Sequence, residues 1–226
     1  SLNVDICIVG GGFTGVASAV ELAERGYKVV LLEQHKIGWG ASGRNGGQII
    51  RGIGHDLNGF KKTIDQEGIN AITQLGRTAN NIVIDRINKY QISCDLTMGY
   101  CDLATRSKHL KSLEEDYEIL SASDYPHQIT LLDSHELKNK VIGSENFIGG
   151  MEDKGSGHLH PLNLCTGEAK AAANLGVQIF ENSSVEEIIQ GDILTIKTAG
   201  GQILAKNLIL AGNAYLGNLM PKISNK

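Results

Sequence analysis

The sequence predicts an α/β fold built on a parallel β-sheet, and stretches near both ends of the chain support this prediction. Residues 4–33 read as a strand, a glycine-rich turn, a helix and a second strand, which is the order of a parallel βαβ unit. Short apolar segments follow one another closely between 177 and 211, as expected of further strands. The region 91–155 is more polar and mixes strands with amphipathic helices, so we interpret it as an insertion.

The first turn has the glycine spacing found where a strand and a helix hold a dinucleotide. Gly10, Gly12 and Gly15 follow the apolar strand at 5–9 and open a helix rich in small residues. Gly10 permits the tight turn, Gly12 allows close approach of a pyrophosphate, and Gly15 lets the helix pack on the strand. Glycines that serve only as a turn are the alternative, and the strand, helix and acid around them argue against it.

Two further features of the same unit indicate a bound dinucleotide. The N-terminus of the helix, with Phe13 and Thr14, presents unpaired N–H groups and a positive dipole end to phosphates. Glu33 ends the second strand, roughly 20 residues after the glycines, where a carboxylate accepts hydrogen bonds from ribose hydroxyls. The sequence therefore predicts a dinucleotide-binding domain.

A second glycine-rich segment, at 41–48, favours a flavin over a nicotinamide cofactor. A nicotinamide dehydrogenase does not require such a segment after its second strand, whereas a fixed flavin ring needs close backbone approach. Arg44 could offset phosphate charge, and Gly46 and Gly47 leave room beside a flat ring. A flexible surface loop is the alternative interpretation. We expect Trp39, just before this segment, to anchor the loop in the core rather than to stack on a ring.

Composition excludes several other classes of function. The chain has 226 residues and a formal net charge of −4, with no basic stripe, so nucleic acid is not an expected partner. No apolar stretch approaches the length of a membrane span, and no signal peptide is visible. The four cysteines form no disulfide pattern, which predicts a cytoplasmic location. His158 and His160 lack a third ligand at convincing spacing, so no metal site is predicted.

Four segments together resemble the FAD-dependent amine oxidases of the D-amino-acid oxidase superfamily, in particular the gamma-glutamylputrescine oxidase group. The matching segments are DICIVGGGFTGVASAVELAERGYKVVLLE, IGWGASGRNGGQI, GHLHPLNLCTGEA and NLILAGNAYLG. The resemblance implies a Rossmann-like FAD-binding domain formed by residues 1–90 and 156–226. It implies an inserted, incomplete α+β domain at 91–155 as part of a substrate-binding domain.

The resemblance also implies which residues contact FAD. They are Gly10, Gly12, Phe13, Thr14, Gly15, Glu33, Ser42, Arg44, Asn45, Gly46, Gly47, Gln48, Val185, Ala211 and Gly212. By position, Ser42 and Arg44 would lie near the ribityl-phosphate region, the backbone of Val185 would meet adenine, and the strand ending at 211–212 would return beneath the cofactor. No catalytic residue is assigned.

The implied reaction is FAD-dependent oxidation of a C–N bond in a small amine, as in polyamine catabolism. The flavin would accept a hydride equivalent, the imine would hydrolyse to an aldehyde, and dioxygen would reoxidise the flavin. Proteins of this kind are considerably longer, so we expect these residues alone to leave apolar faces of a helix at 69–90 open and to self-associate. An inactive apo fragment and a nicotinamide-dependent dehydrogenase stay open as alternatives.

Overall fold

The computed structural model describes residues 1–53, 59 and 63–219, which form two compact units. The first unit consists of Ser1–Gly46, Asp85–Cys94 and His160–Lys226, and the second of Gly47–Ile84 and Asp95–Leu159. These bounds differ from the predicted domains, because 47–84 belongs to the second unit. The predicted boundary at 156 falls inside a strand.

Strands and helices alternate along much of the chain. In order, they are β1 (Leu2–Val9), α1 (Phe13–Glu24), β2 (Val29–Leu32), β3 (Gln48–Ile49), α2 (Gln66–Tyr90), β4 (Thr97–Ala104), α3 (Ser107–Ser121), β5 (Ile129–Asp133), α4 (Ser134–Glu136), β6 (Gly149–His158), α5 (Pro161–Asn174), β7 (Gln178–Phe180), β8 (Val185–Ile189), β9 (Leu194–Thr198) and β10 (Gly201–Leu210). Short 3₁₀ turns lie at Ala41–Gly43 and Asn213–Leu219.

A six-stranded sheet forms the centre of the first unit, in the order β7-β2-β1-β10-β9-β8. Strands β7, β2, β1 and β10 pair with their neighbours in parallel. Strands β9 and β8 extend the sheet beyond β10 as antiparallel strands. The first βαβ unit is therefore confirmed, with Ile6 opposite Val29 and Val9 opposite Leu32. The strands predicted between 177 and 211 join the same sheet, which confirms the α/β fold class.

Both faces of this sheet are buried, as its continuous apolar strands predict. On one face, alternate residues such as Ile8 and Leu31 pack against the small residues of α1 and α5. On the other face, Cys7, Val30 and Ile196 form a second apolar cluster. Small residues on the helices allow close packing on the sheet, which fixes the positions of the strand ends.

The second unit contains a smaller antiparallel sheet in which β6 is the central strand. β4 pairs with β6 along one side, and β3 and β5 pair with different parts of its other side. A capping box begins α4: Asp133 accepts a hydrogen bond from the backbone N–H of Glu136, and the Glu136 side chain accepts one from the Asp133 N–H.

Side-chain exposure decides two local expectations. The expectation for Trp39 is wrong, because this residue is 42% exposed instead of anchoring the core. The expectation for the helix at 69–90 is confirmed: Ile69 and Ile87 are buried, but Leu75 and Ile82 are 64% and 45% exposed.

Candidate dinucleotide-binding site

A cleft of about 340 Å³ lies at the carboxyl ends of β1 and β2 in the first unit. This edge of a parallel sheet is where α/β proteins bind nucleotides. Four of the predicted contact residues line the cleft: Gly10, Glu33, Val185 and Gly212. Its other lining residues are Val9, Leu32, Gln34, Ser183, Ser184, Glu186, Tyr215, Leu216, Gly217 and Leu219. The fold thus brings together residues far apart in the sequence.

The glycine turn is as tight as its spacing predicts. Gly10 has a φ of +115°, and a β-carbon there would collide with the backbone of Ala211 at the end of the neighbouring β10. A β-carbon on Gly15 would collide with the carbonyl oxygen of Gly10. These two close approaches place α1 directly after β1 and point its N-terminus out of the strand edge.

The carboxylate of Glu33 is held by backbone on two sides. Its Oε2 accepts a hydrogen bond of 2.6 Å from the N–H of Gly11, and its Oε1 accepts one of 2.8 Å from the N–H of His35. Charge-assisted hydrogen bonds of this kind are strong. Each carboxylate oxygen has more than one lone pair, so both can still accept from hydroxyls in the cleft.

The turn after β2 is clamped by the segment that leads from β7 to β8. The Glu33 N–H donates to the carbonyl oxygen of Phe180, and the Ser183 N–H donates to that of Glu33, at 2.9 and 2.8 Å. The carboxylate of Glu181 accepts from the Ile37 N–H at 2.8 Å and from the ammonium of Lys36 at 2.7 Å. Glu181 was not predicted from the sequence; its only signal is its position at the end of a parallel strand.

The side chain of Ser42 contacts the N-terminus of α1. Its Oγ accepts a hydrogen bond of 2.9 Å from the N–H of Phe13, and a β-carbon on Gly12 would lie 2.7 Å from the same oxygen. The first α-helical hydrogen bond runs from Val16 to Gly12, which leaves the N–H groups of Thr14 and Gly15 without intrahelical acceptors. The second glycine-rich segment therefore contacts the first at the N-terminus of α1.

Arg44 and Asn45 fold back on their own loop. The Arg44 Nε donates to the carbonyl oxygen of Trp39 at 2.7 Å, and its guanidinium lies 5.2 Å from the centre of the Trp39 ring. The Asn45 amide donates to the carbonyl oxygens of Ala41 and Ser42. These contacts shape the turn, and neither residue lines the cleft.

The remaining predicted residues divide between the two units. Gly46 ends the first stretch of the first unit, whereas Gly47 and Gln48 belong to the second, where Gln48 begins β3 and pairs with His158. Ala211 follows β10 and donates its N–H to the carbonyl oxygen of Val9 at 2.8 Å. Sequence reasoning missed Ser183 and Ser184, although they directly precede the predicted strand at Val185.

Other polar groups have structural roles in the described chain. The Nδ1 of His160 accepts a hydrogen bond from the Asn163 N–H and caps α5. Among residues 1–53, 59 and 63–219, no group of three or more potential ligands could hold a metal ion.

Burial raises the pKa of the Cys7 thiol to about 12. No helix within the part of the chain that the structure describes is both long enough and apolar enough to cross a bilayer.

Comparison with known proteins identifies the family. Residues 5–226 match the family model described as DAO, FAD dependent oxidoreductase. The chain belongs to this family. FAD is the cofactor of the family, so the predicted cofactor is confirmed, and the family favours a flavin over the nicotinamide alternative.

Curated relatives in this family are similar along nearly the whole chain. Gamma-glutamylputrescine oxidoreductase of Escherichia coli K12 is 40% identical over 219 residues, which cover 96% of this chain and 51% of that protein. Probable oxidoreductase OrdL of Haemophilus influenzae is 39% identical over 222 residues, covering 97% of this chain and 51% of that protein. The chain therefore spans about half the length of these relatives.

Solved structures of other proteins share the fold. The crystal structure of glycine oxidase from Geobacillus kaustophilus superposes with a TM-score of 0.81 at 23% identity, covering 99% of this chain and 59% of that one. L-proline dehydrogenase from P. horikoshii superposes with a TM-score of 0.76 at 22% identity, over 99% of this chain and 56% of that one. Both likenesses concern the fold alone.

Proposed function

We propose that the intact protein carrying these residues is an FAD-dependent oxidase of a small amine of the gamma-glutamylputrescine type. One observation carries the proposal: Gly10, Glu33, Val185 and Gly212 line a single cleft in a chain that is 40% identical to gamma-glutamylputrescine oxidoreductase. Dioxygen is the proposed acceptor and polyamine catabolism the proposed role. A cytoplasmic location and self-association of the short chain stay predictions.

The adenosine half of FAD fits the cleft of the first unit. The Glu33 carboxylate, fixed by two backbone N–H groups, is positioned to accept hydrogen bonds from ribose hydroxyls. The backbone of Val185 borders the same space and would contact adenine. Ser183 and Ser184 add hydroxyls at this wall, where they could hydrogen-bond the base or the ribose.

The pyrophosphate fits the N-terminus of α1. Gly12 has no side chain, and a β-carbon there would meet only the Ser42 side chain, so its backbone is open to a ligand. The N-terminus of α1 supplies N–H donors and the positive end of the helix dipole. Ser42 can donate its own proton to a phosphate oxygen while its oxygen still accepts from Phe13. Gly46, Gly47 and Gln48 are the proposed neighbours of the flavin ring.

FAD, when bound, would supply the redox chemistry as acceptor of a hydride equivalent from the carbon next to nitrogen. The chain's contribution is to bind and orient the cofactor through fixed backbone donors. The amine would become an imine, and addition of water would give an aldehyde and release the nitrogen as ammonia or an amine. We assign no catalytic base in these residues.

The decisive experiment is a peroxide assay on the intact protein with gamma-glutamylputrescine, sarcosine and D-alanine. We expect hydrogen peroxide to form fastest with gamma-glutamylputrescine, and FAD to be released on denaturation. The 226-residue chain alone serves as a comparison, and we expect it to bind FAD weakly and to produce no peroxide. Turnover of sarcosine or D-alanine but not of gamma-glutamylputrescine would contradict the proposed substrate, and turnover by the short chain would contradict the need for further residues.

A further inference from the structure

A second cavity lies in the second unit and shares no lining residue with the dinucleotide cleft. It has a volume of about 170 Å³ and is lined by Arg51 after β3, by polar side chains from the middle of α2, by the turn before β5, and by Gly155 on β6. At ~30 Å³ per water molecule this space holds on the order of five or six waters. It therefore suits a small polar molecule or head group rather than a nucleotide.

Two arginines face this cavity, and both are held in place. Arg51 and Arg77 each have side chains only 18% exposed. The Arg51 Nη1 donates to the carboxylate of Asp153 at 2.7 Å, and its Nη2 lies 3.8 Å from the carboxylate of Asp102. The backbone N–H of Arg51 donates to the Ser156 hydroxyl at 3.1 Å. The guanidinium of Arg77 lies 5.6 Å from the centre of the Tyr125 ring. Two prepositioned guanidinium groups on one cavity are typical of carboxylate recognition.

A buried carboxylate, that of Asp153, fixes two of the residues that line the cavity. Asp153 is fully buried and accepts hydrogen bonds from Arg51, the Tyr125 hydroxyl, the Ser156 hydroxyl and the Gly155 N–H. These four donors satisfy the hydrogen-bonding capacity of the Asp153 carboxylate, so this buried group needs no additional cation as a partner. Since one network fixes both Arg51 and Tyr125, the wall of the cavity is rigid before a ligand arrives.

The carboxylate at the mouth of the cavity is held more weakly. Asp124 pairs with the guanidinium of Arg77, yet its side chain is 88% exposed. An ion pair this exposed contributes little free energy, so a ligand carboxylate can replace Asp124 on Arg77 at low cost. Gln74, Asn80 and Asn81 add amide groups on the α2 side, which can bind the remaining polar atoms of a ligand.

We propose that this cavity binds a small carboxylate of the size of a glutamyl group, through Arg77 with Arg51 beside it. The choice of a glutamyl group rests on the proposed function, whereas the preference for a carboxylate rests on the two arginines alone. Such a carboxylate could belong to a free amino acid or to the glutamyl end of the substrate. The two sources present the same chemistry to the site, so the experiment must separate them.

The test is calorimetric titration of the purified intact protein with L-glutamate, glutarate and putrescine. We expect saturable binding of the two carboxylates and none of putrescine, which has no carboxylate. Arg77→Gln should weaken binding by roughly tenfold or more, as loss of a charge-assisted bidentate contact does. Asp124→Asn should tighten binding, because it removes the competing carboxylate from Arg77. Exposed Arg106, at the start of α3, provides the matched control Arg106→Gln, which should leave affinity unchanged.

Kinetics with two substrates identify the source of the carboxylate. If Arg77→Gln raises the KM of gamma-glutamylputrescine but not of putrescine, the cavity binds the substrate's glutamyl end. If it abolishes L-glutamate binding and leaves both KM values unchanged, the ligand is a separate carboxylate. Absence of saturable L-glutamate and glutarate binding, or equal affinity in a folded Arg77→Gln protein, would overturn the site. Calorimetry requires no turnover, so failure of the proposed oxidase activity would be recognised separately.

Discussion

The Oε2 of Glu33 accepts a hydrogen bond of 2.6 Å from the backbone N–H of Gly11, and this contact joins the end of β2 to the glycine turn after β1. The acid proposed to bind ribose and the turn proposed to bind pyrophosphate are thus fixed relative to each other by the chain itself. Prepositioning of this kind lowers the entropic cost of binding.

Glu33→Ala in the intact protein should weaken FAD binding by about 1–3 kcal/mol, the range of hydrogen bonds to a charged group. Fluorescence titration of the apoprotein with FAD measures the change. Glu187→Ala is a suitable control, because Glu187 lies on β8 outside the cleft and pairs only with Lys197 at the surface. Equal FAD affinity in the Glu33 variant and the parent would show that Glu33 serves only as a cap of the turn.

Glu181 should act on FAD through the turn that carries Glu33. Glu181→Gln can still accept from the Ile37 N–H, whereas Glu181→Ala cannot. We therefore expect Ala to weaken binding of FAD and of ADP-ribose, which share the adenosine ribose, while Gln largely restores both. FMN lacks the adenosine, so FMN binding should not change. A parallel loss of FMN binding would show a general structural defect instead.

Gly15→Ala should destabilise the first unit by about 1–3 kcal/mol, since its new β-carbon would collide with the Gly10 carbonyl oxygen and force α1 away from the sheet. Chemical denaturation measures the free energy of unfolding. Gly200→Ala is the matched control, because a β-carbon there would meet nothing closer than 3.9 Å. Comparable losses in the two variants would mean that the close contact between helix and strand does not limit stability.

Glu168 should make stability decrease as pH rises. Burial raises its pKa above the usual 4.5, and the nearby Arg86 only partly offsets this. The folded state therefore binds more protons than the unfolded state between 4.5 and the raised pKa, so the free energy of unfolding decreases as pH rises through that window. Glu168→Gln should remove this slope, as urea denaturation between roughly pH 4 and pH 8 would show.

Glu21, which also pairs with Arg86, provides a control whose pKa shift is opposite to that of Glu168. Hydrogen bonds from Arg25, aided by Arg86, lower the pKa of Glu21, so its contribution to stability is lost as pH falls through the lowered value. Glu21→Gln should reduce the loss of stability in acid and leave unchanged the slope of unfolding free energy against pH above pH 4.5. If both variants changed the pH dependence in the same direction, the assignment of the raised pKa to Glu168 would be wrong.

Local sequence patterns were enough to predict the elements around the cleft. Gly10, Gly15 and Glu33 could be found because the turn, the helix and the strand tip that they serve lie close together in the sequence. The boundaries of α5 have similar local signals, with Pro161 at its start and Gly176 shortly after its end. In each case a backbone requirement limits which residue type is tolerated.

Features that depend on distant pairing could not be predicted. β10 continues through the polar residues Lys206 and Asn207 because β1 pairs along its length, with Ile6 opposite Asn207. Trp39 is exposed because it packs on His35, Arg44 and the distant Tyr215 rather than in the core. The two-arginine cavity had no local motif, since its residues come from four separate parts of the chain.

Anaerobic titration of the intact protein with gamma-glutamylputrescine tests the central claim most directly. The protein should carry FAD, and the absorbance of oxidised flavin should be lost in proportion to the added amine and return when air is admitted. The Glu33→Ala protein should retain less FAD through purification, and once reloaded to saturation it should show the same bleaching. A flavin spectrum that stays unchanged on addition of gamma-glutamylputrescine to fully FAD-loaded protein would contradict the proposed function.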